Sequence, residues 1–318
     1  MQLHRIEEQI VSLGERSREE LLSLPGDVRE YLGTVPLFEA AAIGHAAVDI
    51  AVRHWPSSVP EDARYVFAGL ATRALKTSRE IAVLLEHGYA DAARSRWRTM
   101  SEILVVARVL ALGDRYTCTR YKEHRWVAFE KQRRNAGQTD WSGPGPSPEV
   151  MKRRLVRRFG PNYGRDLGWA ARISAKRLGV ERPQWSHLRT LAEVGEHESR
   201  INQAHHAVHG QDPLGLLGSV VDDTGAFHAG ASLDGVLETG RDSIRLLRQV
   251  LLATFDVCLL YGHAPRAQVV ASVIEVHLLS LEQDLSWRIL LSDPQARARY
   301  DSYMATHTTL SNEPPPGL

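Results

Sequence analysis

The residue types best suited to chemistry gather in one stretch, EHESRINQAHHAVH at 196–209, which holds four of the chain's 14 histidines. Glu198, Asn202, His205 and His209 step by four, three and four. On a helix that spacing makes one polar stripe, bordered by the apolar Ile201, Ala204 and Val208. A half-buried imidazole with a pKa near 6.5 can act as acid or base on a hydroxyl. The same histidines, closing a helix just before Gly210, also suit a structural role, because a cation in the last turn complements the helix dipole. His205 and His209 have the i,i+4 spacing that offers two imidazoles to one zinc ion. No second helix supplies a matching ligand pair, and no Glu-x-x-His of the di-iron type occurs. No metal and no other cofactor is therefore expected.

A second pair is Arg98 and Glu102. With Val105 and Val109 they follow steps of four, three and four, and residues 103–112 are apolar on every side except at Arg108. A helix apolar all round sits centrally in a bundle, so the pair reads as a continuation of a buried stripe. It is then either an anion-binding arginine oriented by Glu102 or an ion pair locking two helices.

Charge gives a third pointer. Net charge is only +1, yet residues 115–182 carry 17 Lys and Arg against 6 Asp and Glu, while the rest carries 22 against 32. Arg153, Arg154, Arg157 and Arg158 are the densest part of that region. A local positive field on a near-neutral protein points to an anionic partner such as RNA or a nucleotide. The alternative is that these charges solvate helix faces and pair with the acidic remainder.

The elements that must position these residues are helical. Val66, Leu70, Ala74, Thr77, Ile81 and Leu84 recur at steps of three and four, and Gly88 is the expected stop. Further helices are predicted over 90–112, 115–135, 148–159, 164–179, 184–209, 234–262 and 265–291. WPSSVP at 55–60 is a linker, since its prolines cannot continue a helix. Residues 138–149 and 212–232 read as long Gly- and Pro-containing loops. The expectation is an all-α multi-helix bundle with two long loops. Residues 1–60 form a helical N-terminal region, 61–291 the main bundle, and 292–318 a tail disordered at its end. With 43% hydrophobic residues a sizeable core is available. Met1–Ile10 already carries charges, so no signal peptide is expected. The most apolar run, Val250–Tyr261, is interrupted by Asp256 and too short to span a bilayer. Cys118 and Cys258 do not form a metal motif, and a reducing, cytoplasmic location without membrane contact is expected.

From about Ala63 to Gly210 the chain resembles an uncharacterised bacterial helical family, domain of unknown function 5677. The features that carry the resemblance begin with a helix ending in LLEHG at 84–88, followed by Asp91-Ala92 and Arg-x3-Glu at Arg98–Glu102. Next come Tyr-x2-His at Tyr121–His124, a Trp-led helix at Trp169, and His209-Gly210. The resemblance implies a helical fold without a known activity, loosely grouped with HEPN-like proteins, some of which are defence ribonucleases. That class carries an Arg-x(4–6)-His motif, which Arg200 and His205 match. On a regular helix, however, residues five apart point about 140° from one another.

Two functional expectations stand side by side. One is a metal-independent ribonuclease-like or nucleotide- or RNA-binding protein, acting in phage defence. His205 or His209 would then serve a ribose hydroxyl, and Arg98 or Arg200 would stabilise phosphate charge. The other is a non-catalytic helical module that binds a protein or nucleic acid. Either is compatible with a homodimer.

Overall fold

The computed structural model describes residues 35–55, 57–138, 140–208, 235–260 and 265–292, with isolated positions at 8, 12 and 298. Most of the N-terminal 34 residues, the predicted 212–232 loop, His209 and the C-terminal tail lie outside the described residues. All regular structure among the described residues is helical, with no strand, as the periodicity predicts. No described helix is long and apolar enough to cross a membrane.

Five long helices make the bundle: α1 (Val35–Arg53), α2 (Glu61–Glu86), α3 (Ala90–Ala111), α10 (Val236–Leu260) and α11 (Pro265–Ser292). The predicted face of α2 is the buried one. Val66, Leu70, Ala74, Thr77 and Ile81 are buried, and Leu84 is half-buried against the core. Gly88 ends the helix at φ 75°. The Gly88 and Tyr89 amides donate back to Leu85 and Leu84 carbonyls at 3.0 and 2.9 Å, the paired closure that a left-handed glycine permits. α3 packs against α2 and α10, and Trp97, Met100, Leu104, Val105 and Val109 are buried on it. α10 touches α1, α2, α3 and α11, so it shares the central position with α3. A turn at 57–58 precedes α2, and α1 and α2 pack on each other. Gly44 lets α1 approach closely there, because a Cβ at that position would sit 2.8 Å from Leu75 and 3.0 Å from Leu251.

The basic region forms a lobe against one end of α2. It comprises α4 (Thr117–Glu123), α5 (Arg125–Asn135), α6 (Pro148–Phe159) and α7 (Ala171–Leu178); α8 (Trp185–Leu191) and α9 (Glu198–Val208) follow and pack on α3. Two predicted helices are each broken. The 115–135 segment bends at His124, whose ring is buried beneath the lobe and whose Nε2 donates to the Arg165 carbonyl at 2.8 Å. The 184–209 segment breaks at Glu193, which has φ 51°. Arg108 of α3 explains that break: its guanidinium donates to the Ala192 and Glu193 carbonyls at 2.9 and 3.1 Å, satisfying the end of α8. The one charge in the apolar half of α3 is thus a cap for another helix. The predicted 164–179 helix is shorter too. Two 3-10 turns, Pro161–Gly164 and Gly168–Ala170, precede α7, and Gly168 sits against the Tyr163 carbonyl where any Cβ would collide.

Candidate functional site

α6 starts cleanly. Ser147 caps it by accepting from the Val150 amide at 3.3 Å, Pro148 occupies the first turn, and Gly160 at φ 99° ends it. Leu155 points inward and is buried. At about 100° per residue, Arg153, Arg154, Arg157 and Arg158 fill a continuous arc on the opposite side, and all four are exposed. Arg153 lies 3.9 Å from Glu149, an exposed pair of little energetic weight. Arg154, Arg157 and Arg158 have no ion-pair partner among the described residues.

Four acids in or next to the lobe are held by cations other than the arc. Asp62 accepts from Lys122 Nζ at 2.7 Å and Thr119 Oγ1 at 2.6 Å. Asp114 holds the buried Arg120 at 3.0 Å and lies 3.6 Å from Arg172. Asp166 pairs with Lys131 at 2.7 Å. Glu130 is wholly buried, and Arg133 and Arg134 contact it at 3.0 and 2.5 Å. Its hydrogen bond from Arg133, joined by that from Arg134, holds its carboxyl below the ordinary range. These pairings knit the lobe together, while Glu149 lies beside Arg153 and the charge of Arg158 helps to lower the Asp62 pKa.

Elsewhere on the lobe, α5 and Asp166 form an open groove of about 380 Å³, lined by His124, Val127, Lys131, Gln132, Asn135 and Asp166. Burial lowers the His124 pKa, which keeps the ring neutral as a donor to Arg165. Its edge meets the Tyr163 ring at 5.3 Å. His124 is therefore a structural histidine at the base of the groove.

The Arg98–Glu102 pair is not buried as the stripe predicts. Arg98 Nε stands 3.7 Å from Glu102 Oε1, with side chains 29% and 47% exposed. Only the Val105 and Val109 half of the stripe is in the core. Arg200, in the first half of α9, donates from Nε to Asp242 Oδ2 at 2.9 Å. Asp242 is buried, also accepts from Arg241, and offers its carbonyl to Trp97 Nε1 at 3.1 Å. The small cavity at this α3–α9–α10 junction, about 20 Å³, is lined by Arg94, Trp97, Arg200, Ala204, Thr239 and Asp242. Neither Arg98 nor Glu102 lines it. A cavity of that size holds a water and no nucleotide. His205 belongs to α9, but its side chain lies outside the described residues, as does all of His209. His197 of the same cluster is buried, its ring 2.6 Å from Gln249 Oε1 and edge-on to Trp97 at 5.9 Å.

The structure therefore separates the candidates. The arginine arc belongs to α6, which packs on α5 and the 161–164 turn, whereas Arg200 and His205 belong to α9 on the flank of α3. No group of three or more His, Cys, Asp or Glu among the described residues is arranged to hold a metal ion. Sequence reasoning missed Glu130, although its spacing from Arg133 and Arg134 is the helical pairing distance. It also missed Asp242, whose partners are remote in the chain. A family model described as a family of unknown function (DUF5677) matches residues 64–225, a span that runs from the first turn of α2 past the end of α9. No curated protein and no solved structure matches the chain.

Proposed function

Because the chain belongs to this family of unknown function, DUF5677, we propose its role from its own side chains: it binds RNA through the phosphate backbone, using the basic lobe. The single observation that carries this reading is the α6 arc, with Arg154, Arg157 and Arg158 exposed and without an ion-pair partner among the described residues. Guanidinium groups recognise phosphate through charge-assisted and bidentate hydrogen bonds. Three or four on adjacent helical turns give a track that fixes a backbone without reading sequence. The pairing of Asp114, Glu130 and Asp166 with other cations supports the same reading, because those carboxylates do not compete with phosphate for Arg154 and Arg157.

Such binding is governed by counterion release. Titration of a labelled RNA oligonucleotide is expected to give a log affinity that falls linearly with log salt, with a slope of about −2 for three phosphates on a single strand. No binding at low salt, or binding indifferent to salt, would overturn the reading.

A second reading, RNA cleavage in a defence role by a HEPN-like protein, has one supporting observation. Arg200, on the helix that also carries His205, donates to the buried Asp242 at 2.9 Å. On this reading His205→Ala and His209→Ala each lower cleavage by about 10²–10⁴-fold. They leave the melting temperature nearly unchanged, and cleavage by the wild type survives EDTA. Undiminished cleavage in the double alanine variant would remove both histidines from the chemistry.

A further inference from the structure

The lobe that carries the α6 arginines also presents aromatic rings to solvent. Phe129 is 47% exposed, Tyr116 43% and Trp141 41%, and Tyr65 of α2, 61% exposed, lies against Lys122 of α4. Among the described residues, the other exposed rings are Tyr89 and Trp287. Exposed rings are thus concentrated where the positive charge is. Cations also sit over rings here: Arg115 over Tyr116 at 4.7 Å, Arg125 over Trp126 at 5.7 Å, and Arg158 over Phe159 at 4.9 Å.

Two of the exposed rings belong to the hairpin that ends in the arginine arc. On α5, Arg125, Phe129 and Gln132 share the outer face, opposite buried Val127. Trp126 meets Phe129 edge-on at 5.9 Å, which fixes the Phe129 ring while leaving a face open. Trp141 stands in the connection between α5 and α6. Its Nε1 donates to the Gly145 carbonyl at 3.2 Å. Its ring lies so close to Gly143 that a Cβ there would fall 2.5 Å from it, so the glycine is what lets the backbone pass beneath the indole. About 8 Å of helix separates Pro148, where the connection ends, from Arg153.

A helix surface gains nothing in folding by holding large rings in water. Rings interleaved with guanidiniums are the pattern that stacks unpaired bases while tracking their phosphates. A duplex hides its base faces and offers only phosphate and groove. Resting on the RNA-binding reading above, we propose that the α5–α6 hairpin takes single-stranded RNA. The α6 arginines hold its phosphates, and unpaired bases stack on Phe129 and Trp141.

The test measures fluorescence anisotropy of the full chain with an unstructured 16-nucleotide RNA and with the duplex of the same length. The wild type is expected to bind the single strand at least about tenfold more tightly. Phe129→Ala and Trp141→Ala are each expected to weaken single-strand binding by about tenfold and to leave duplex binding unchanged. Phe129→Trp is expected to retain it. Both rings are exposed, so the variants keep their helical circular dichroism. Equal affinity for the two forms, or alanine variants indistinguishable from wild type, overturns the single-strand inference while leaving RNA binding intact. A wild type that binds neither form overturns both.

Discussion

Glu130→Ala is expected to lower stability by more than about 1 kcal/mol, beyond the range of an exposed ion pair, because it removes a carboxylate that two arginines contact at once. Glu130 is fully shielded from solvent, and its partner Arg133 is only 13% exposed and also donates to the Gln138 carbonyl. Removing the carboxylate takes away the hydrogen bonds that Arg133 and Arg134 donate to it. The double variant Glu130→Ala, Arg133→Ala is expected to recover part of the loss, because it removes one of those two donors as well. Glu102→Ala makes the contrast: that pair is partly exposed at 3.7 Å, and its loss is expected to cost no more than about 1 kcal/mol. Urea denaturation of the four proteins measures both, and a Glu130→Ala change of under about 1 kcal/mol would contradict the account of the lobe. The pairing also sets a pH dependence. The Glu130 pKa is lowered in the folded state, so its contribution is fully present above the ordinary glutamate value of about 4.3. It is lost as pH falls through the lowered folded-state value. Glu130→Ala therefore lacks this part of the wild type's acid sensitivity.

How much of this was legible in the sequence follows from which interactions are local. The α2 face and its Gly88 stop were readable because periodicity and the left-handed glycine act within a few residues. The span of α6 was readable for the same reason, since a capping serine, a first-turn proline and a terminal glycine bracket it. Its arginines could be assigned to one surface because the apolar Leu155 and Val156 lie between the two arginine pairs. The breaks at His124 and Glu193 were not readable. Each depends on a partner far along the chain, the Arg165 carbonyl in one case and Arg108 in the other. Arg98 and Glu102 show the same limit from another side. Spacing places them on the stripe of Val105 and Val109, but how deeply each end of a stripe is covered depends on which helices cross it. The anchor of Arg200 was equally hidden, since Asp242 lies on α10, beyond a long intervening segment. For the candidate interface, composition located the basic region. Which arginines were left unneutralised became visible only when Asp62, Asp114, Glu130 and Asp166 were seen with their partners.

The central claim is that the α6 arc holds RNA phosphates, and simultaneous reversal of the arc tests it most directly. Arg153→Glu, Arg154→Glu, Arg157→Glu and Arg158→Glu replace four exposed cations with four anions on one helix face. The buried side of α6, including Leu155, is untouched, so helical circular dichroism and the melting transition are expected to persist. Each lost phosphate contact also forfeits its counterion release, and the introduced carboxylates repel the backbone. A matched control reverses Arg53, Lys76, Arg96 and Arg288, four exposed cations outside the lobe, and so imposes the same change in net charge. The measurement is equilibrium binding of a labelled single-stranded RNA at low salt to the wild type, the arc variant and the control. The account predicts an affinity loss of more than about a hundredfold for the folded arc variant, against a far smaller change for the control. An arc variant that stays folded and binds RNA as the control does would contradict it.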